Sequence, residues 1–280
     1  MSIKITSDST CDLSPELLQR YSIAVIPLYV LKDGVSFRDG EDILPADIFA
    51  HVDAGGALCT TSAVSQYDYS RFFSGLSAEY DAVIHINLGA GFSSCHQNAR
   101  AAAVEFANVY AVDSANLSTG QGLVVLCAAR MAQQGLPAEE IVRRLNAITP
   151  KVEASFLLDR LDYMRKGGRC SAVAALGANL LSLKPCIEVK DGKMAVGKKY
   201  RGSFEKCIRQ YARERLAGRT DLQKDMVFIT HTPTAENVLT AVREAVASSA
   251  DFTETFETEA GCTISCHCGP STLGVLFIRK

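Results

Sequence analysis

Three clusters of hydroxyl side chains stand where they can meet one anion. Ser7-Asp8-Ser9-Thr10 follows a short apolar strand expected over Ile3 to Thr6. Thr60-Thr61-Ser62 precedes a helix expected from about Gln66, and Ser93-Ser94 closes the loop Gly89-Ala90-Gly91-Phe92. That loop follows an apolar strand and opens a helix, so backbone N–H groups and the helix dipole attract negative charge there. Hydroxyl and N–H groups hold a carboxylate without the strong pull of a buried lysine, which keeps the anion exchangeable. N-capping accounts for one hydroxyl at a helix start; three in a row leave spare donors. Arg169 adds a charge. It follows a Gly167-Gly168 break and precedes a small-residue apolar helix expected over Ala172 to Leu181, which joins a basic group to an apolar slot.

Other chemistries fit these residues less well. Gly89 to Ser94 approximates a dinucleotide loop, and Asp113 ends the next strand about where an acid would hold a ribose. Against it, Ser94 replaces the final glycine and the preceding strand is not the first of the chain. Cys262, Cys266, His267 and Cys268 invite a zinc reading, yet structural zinc sites pair cysteines with a second pair far along the chain. Read as an extended segment, Cys266 and Cys268 face one way and His267 the other. His267 then bonds either a backbone group or a ligand oxygen. Ser93, His267 and Asp8 can be drawn as a triad, but no Gly-x-Ser-x-Gly elbow supports it. His85 and His51 read as structural, and His231 as a minor pocket candidate. No metal and no organic cofactor is expected.

The elements that must place these groups divide in two. Short apolar strands at Ile3 to Thr6, Ile23 to Leu31, Ala82 to Leu88 and Val109 to Val112 alternate with helices, including one from Ser94 to Phe106. Nearly continuous apolar strands between helices predict a parallel sheet covered on both faces. A helix-like segment at Leu158 to Met164 comes next. Then Pro185 to Val189 and Lys193 to Tyr200 flank Asp191-Gly192, a hairpin signal. Helices at Ser203 to Leu216 and Ala235 to Ser248 alternate with strands at Val227 to Thr230, Phe252 to Thr258 and Val275 to Ile278. The expected architecture is α/β in two domains, a parallel-sheet domain over 1–150 and a mixed α/β domain over 151–280. The boundary falls near Thr149-Pro150, with a ligand site between the domains.

Composition sets the outer limits. With 280 residues, 48% apolar and 21% charged, the chain predicts an ordered globular protein. No apolar run approaches the roughly 20 residues of a membrane span. The N-terminus is polar where a signal peptide needs its apolar centre. Ten cysteines without such a signal point to free thiols in a reducing cytoplasm. A net charge of −2 argues against nucleic-acid binding. From Lys184 to Arg219 eleven basic residues meet four acidic ones, a local excess of +7. Such a run is either a solvated face or a docking surface for an acidic partner or an anionic membrane surface.

Taken in order, the segments TSDSTCDL, TTSAVS, GFSSCHQNA, VDSANLSTGQG, LDYMRKGGRCS, LSLKPCIEVKDGK and CHCGPSTLG resemble the DegV family of bacterial lipid-binding proteins over essentially the whole chain. The resemblance implies two α/β domains with a long-chain fatty acid buried between them. The best-understood members look like FakB, the fatty-acid-binding subunit of bacterial fatty acid kinase. There a separate kinase subunit phosphorylates the bound carboxylate with ATP, and the acyl phosphate feeds phospholipid synthesis. By resemblance Thr61 and Ser93 hydrogen-bond the carboxylate with His267 close by, Ser62 and Ser94 add donors, and Arg169 supports the polar end. Lys199 and Arg201 fit the family's basic residues for kinase docking. The chain departs from the family at Ser93-Ser94-Cys95, where Ser-Gly-Thr is usual, and at Cys266 and Cys268, where threonines flank the histidine. The implied protein is a carrier without catalytic residues of its own. A nucleotide-dependent oxidoreductase using the Gly89 to Ser94 loop and a serine lipid hydrolase are the competing readings.

Overall fold

The computed structural model describes residues 2–174 and 183–280. In chain order the first half contains β1 (Ile3–Asp8), α1 (Pro15–Arg20), β2 (Ala24–Ile26), β3 (Tyr29–Lys32), β4 (Val35–Arg38) and α2 (Pro45–Asp53). It continues with β5 (Thr60–Ser62), α3 (Gln66–Glu79), β6 (Ala82–Asn87), α4 (Cys95–Ala103), β7 (Val109–Asp113), α5 (Thr119–Gln133) and α6 (Ala138–Ile148). Strands β2-β1-β6-β7 form a parallel sheet, as the strand–helix alternation predicts, and β4-β3-β5 form a small antiparallel sheet beside it. Local signals start the helices. Ser14 Oγ accepts the Leu17 N–H with Pro15 at the first helical position, and Ser65 Oγ accepts the Asp68 N–H at the start of α3.

The second half holds β8 (Val152–Glu153), β9 (Ser155–Leu158), α7 (Asp162–Gly167), α8 (Ser171–Ala174), β10 (Leu183–Lys190), β11 (Lys193–Arg201) and α9 (Phe204–Leu216). It ends with β12 (Leu222–His231), α10 (Glu236–Ser249), β13 (Glu254–Glu259), α11 (Cys262–Cys268) and β14 (Thr272–Arg279). These strands make a mixed sheet ordered β11-β10-β9-β14-β12-β13, with β8 also paired to β14; β12 and β13 run parallel and the other pairs antiparallel. Pro185 lies in β10 outside the β9 ladder, which spans Cys186 to Glu188, so its missing N–H removes no bond from that ladder.

Apolar periodicity stacks these elements in layers. On β6, Val83 faces α3 and α4 while Ile84 and Ile86 face α5. On β12, Met226 and Phe228 face α5 while Val227 and Ile229 face α9 and α10. Helix α5 therefore lies between the two sheets and is buried along almost its whole length. Among the described residues no helix is long and apolar enough to cross a membrane.

Three segments differ from their sequence expectations. The strand expected over Ile23 to Leu31 is two strands in two sheets, because Pro27 cannot donate to a ladder. Leu158 ends β9 rather than opening a helix, and α7 begins only at Asp162. The segment from Cys262 to Cys268, read as extended, is helical. Of the helix expected over Ala172 to Leu181, Ser171–Ala174 is observed as α8; residues 175–182 lie outside the described residues.

Candidate functional site

The carboxyl end of the parallel sheet faces α11 and the β10–β11 hairpin, and a narrow cavity of about 50 Å³ lies there. Thr61, Ser62, Ser93, Arg169 and His267 all border it, with an apolar wall that includes Leu28, Leu88, Phe92, Leu117, Met164 and Met194. Thr61 and Ser62 come from β5, which pairs with β3 through Val30 and Tyr29. Ser93 comes from the loop after β6. Its Oγ accepts the Cys95 N–H at 3.3 Å and donates to Cys95 Sγ at 3.2 Å, so this side chain also starts α4.

That loop stands on a buried polar base. Both oxygens of the Asp8 carboxyl are used: it accepts Tyr69 OH at 2.5 Å, Asn87 Nδ2 at 3.2 Å and the Leu88 N–H at 2.7 Å. His85 Nε2 meets it at 3.1 Å, and the other ring nitrogen meets Thr6 Oγ1 at 2.8 Å, so His85 is structural as expected. The first hydroxyl cluster thus does not converge on the cavity. Ser7 Oγ donates to Ile86 O, Ser9 Oγ to Asp39, and Thr10 Oγ1 to Gln121.

His267 is the residue on which the polar groups centre. Its Nε2 lies 2.8 Å from Thr61 Oγ1, and its Nδ1 is buried without a hydrogen-bond partner among the described residues. The ring fits because residue 167 is glycine: a Cβ there would stand 2.5 Å from Nδ1. Burial, and then the positive charge of Arg169, push His267 down to about 4 from its ordinary 6.5. It is therefore neutral near pH 7. Because α11 is helical, Cys266, His267 and Cys268 point about 100° apart rather than alternating. Cys266 packs with Cys59 and Cys262, and Cys268 with Met164 and Cys170. Burial raises the Cys268 thiol to about 12 and the Cys95 thiol to about 11, which keeps both protonated.

Arg169 is exposed. Its Nη1 donates to Gly167 O at 2.8 Å, and the side chain also borders a vestibule of about 260 Å³ with Lys166, Tyr163 and Cys59. Ser94 is not on the cavity. One residue beyond Ser93 the chain has turned into α4, so Ser94 is exposed on an open outer groove of about 900 Å³. That groove is larger but open to solvent. The narrower cavity is where Thr61, Ser62, Ser93, Arg169 and His267 meet an apolar wall.

A second chamber of about 20 Å³ continues from the first, and Leu117, Ile264 and Cys268 border both. Its wall includes Phe156, Leu276, Thr230 and His231, the minor candidate of the sequence. Both volumes fall far below the ~300–1,000 Å³ of typical ligand sites, so a long ligand has to part these walls. Sequence reasoning missed Leu28, Leu117 and Met194 because single apolar residues at strand and helix ends carry no periodic signal.

Lys199 and Arg201 lie on β11, the edge of the mixed sheet, and both are exposed. Among the described residues neither forms an ion pair. Six other basic residues of the +7 run do: Lys184 with Asp159, Lys190 with Glu188, Lys198 with Glu214, Arg209 with Glu244, and Arg215 and Arg219 with Glu153. Glu188 and Glu214 already stand in the count, so Asp159, Glu153 and Glu244 bring the local excess from +7 to +4.

The family described as "Uncharacterised protein, DegV family" matches residues 2–280. A DegV domain-containing protein of Caldanaerobacter subterraneus subsp. tengcongensis is 33% identical over 280 residues, 99% of each chain. A DegV family protein from Thermus thermophilus, whose structure describes fatty acid binding, superposes with a TM-score of 0.90 at 30% identity over 100% of both chains. A DegV lipid-binding protein from Thermotoga maritima gives a TM-score of 0.86 at 27% identity, again over 100% of both.

Proposed function

The chain belongs to the DegV family, and on that premise we propose that it is a carrier for a long-chain fatty acid, which it presents to a separate ATP-dependent kinase. The observation that carries this reading is the convergence of Thr61, Ser93 and His267 on a narrow apolar slot between the two halves. The carboxylate sits among the two hydroxyls, with Ser62 beside them and Arg169 at the mouth. A neutral His267 adds a hydrogen-bond partner without a second fixed charge, so the head is oriented while its negative charge stays available to a phosphoryl donor. The tail parts Leu117, Ile264 and Cys268 and fills both chambers. Burying it contributes about 25 cal/mol per Å² of apolar surface, which supplies most of the affinity. Lys199 and Arg201 form the docking surface for the kinase, and acyl phosphate leaves for phospholipid synthesis.

Two observations weigh against the competing chemistries. A pyrophosphate on the Gly89 loop would need the space at Gly91, but the Gly192 carbonyl fills it: a Cβ at Gly91 would stand 2.1 Å from that oxygen. For Ser93 to act as a nucleophile it needs a base, yet its hydroxyl points to Cys95 and the His267 ring is engaged by Thr61. Denaturing extraction and mass spectrometry of the purified protein test the reading. A fatty acid near one equivalent is expected. A dinucleotide in its place, or Ser93 labelling by a fluorophosphonate, would overturn it.

A further inference from the structure

Helix α11 belongs to the second half in sequence but lies along the first, against α2, β3 and β5. At its C-terminal end His267 meets Thr61 of the first half. At its N-terminal end the capping position is Gly261, which has no side chain to close the helix. The missing cap comes from the first half instead. Asp39 Oδ1 accepts the Cys262 N–H at 2.9 Å, and Oδ2 accepts the Thr263 N–H at 3.0 Å and Thr263 Oγ1 at 2.6 Å. Ser9 Oγ donates to the same Oδ2 at 3.1 Å and holds the carboxyl from behind. Asp12 completes the anchor: Oδ1 accepts the Gly261 N–H at 2.9 Å, and Oδ2 accepts Ser118 Oγ at 2.5 Å. Both acids are buried, at 5% and 6% exposure.

A seven-residue helix is too short to hold its own direction, since helices under about 12 residues are marginal alone. Its axis and phase are set by what grips its ends. Packing on α2 and α7 sets part of both, and two backbone N–H groups and one hydroxyl bonded to a single carboxyl fix the N-terminal end. We infer that Asp39, seconded by Asp12, is a positioning residue that aims His267 at the ligand head and keeps its Nδ1 edge buried. This role rests on the fatty-acid reading for its purpose, though the geometry stands without it. Neither acid borders the cavity; Asp39 reaches the ligand through α11, while Asp12 also holds Ser118, which lines the second chamber.

Around His267 stand Thr61, Gly167 and Arg169, with Lys166, Tyr163, Cys59 and Cys266 on the same vestibule, and its neutrality comes from burial first and from Arg169 second. Loosening α11 should admit water and let the ring protonate in the ordinary range. The experiment follows the ring signals of the ligand-free protein by NMR between pH 5 and 8, with His267→Gln to identify its peak. In the unaltered chain His267 should not titrate over that range. In Asp39→Asn it should titrate near its ordinary value of about 6.5. Fatty-acid affinity should fall roughly tenfold, as expected for disturbed hydrogen bonds to a charged head. Affinity for a fatty alcohol of the same length should stay the same.

An N-cap with only a structural role would lower the melting temperature and leave His267 untitrated. That result in Asp39→Asn overturns the proposal. If this variant fails to fold, Ser9→Ala removes the rear support, together with the bond that Ser9 Oγ accepts from the Leu28 N–H at 3.1 Å, and should shift the same signal in the same direction; an unmoved signal there overturns the proposal equally. Should the unaltered chain bind no fatty acid, the carrier reading fails, while the NMR titration still decides the positioning role.

Discussion

Thr61 and Ser93 reach the cavity from different elements, one from a strand and one from a loop, so each can be removed without disturbing the other. The double change Thr61→Ala and Ser93→Ala should weaken fatty-acid binding by about 1–3 kcal/mol, the usual scale for lost bonds to a charged group. The fold should persist, because Asp8 still holds the loop from below. Unchanged displacement of a fluorescent fatty acid would remove both residues from the site. Asp12 offers a separate test at this scale. Burial pushes its carboxyl up to about 8; bonds from Ser118 and Gly261 pull it back in part, and the charge of Asp39 adds to the rise. A folded value above the unfolded 3.8 means the contribution to stability is full below about pH 4 and is lost as pH rises through about 8. His267 works in the opposite sense: its depressed value contributes stability above about 6.5 that is lost as pH falls toward 4. Asp12→Asn cannot titrate, so its stability relative to the unaltered chain should improve between pH 5 and pH 8.5 in urea melts. Identical differences at both pH values would contradict the assignment.

Elements place these residues through contacts between the two halves. The β10–β11 hairpin turns at Asp191-Gly192, with both residues at positive φ as such a turn requires. Its tip rests on Gly91, and Met194 just beyond the tip borders the cavity. Gly91→Ala would force a Cβ against the Gly192 backbone, which has no flexible side-chain end to give way. We expect a loss of about 1–3 kcal/mol in denaturant unfolding, the range for overpacking. Ligand release should quicken as the tip lifts from the loop that carries Ser93. A variant as stable as the unaltered chain would show that the tip is free to move aside.

At the scale of the whole molecule, the two sheets share one apolar core through α5, and the narrow cavity and its second chamber lie along the same junction. A tail that enters must separate walls that now nearly touch. Bound fatty acid should therefore raise the melting temperature and protect α11 and the β10–β11 hairpin in hydrogen exchange. Absence of protection at both would place the tail elsewhere. Docking belongs to this scale too. Reversing Lys199 and Arg201 to Glu should reduce phosphorylation of the bound lipid by a partner kinase and leave fatty-acid affinity unchanged. The loss should resemble that caused by added salt, because exposed charges are screened. Full coupling in the double reversal would make the basic edge a solvated face.

Local rules written into neighbouring residues were enough to determine much of this protein. Ser14-Pro15 and Ser65 start helices, Asp33-Gly34 and Asp191-Gly192 turn hairpins, and the apolar run of β6 announces a strand covered on both faces. Ordered motifs also pointed to Thr61, Ser62, Ser93, Arg169 and His267, which the fold gathers at one cavity. Ser94 stands apart from that cavity because adjacent residues diverge where a loop turns into a helix, and the divergence depends on where that turn falls. Helix α5 was illegible because it is buried on nearly every side, which erases amphipathic periodicity. The helicity of Cys262 to Cys268 was hidden for another reason: its cap lies on Asp39, more than two hundred residues upstream. Bonds across that separation exist only once the two halves meet, so the aim of His267 is a property of the tertiary structure and not of its neighbours in the chain.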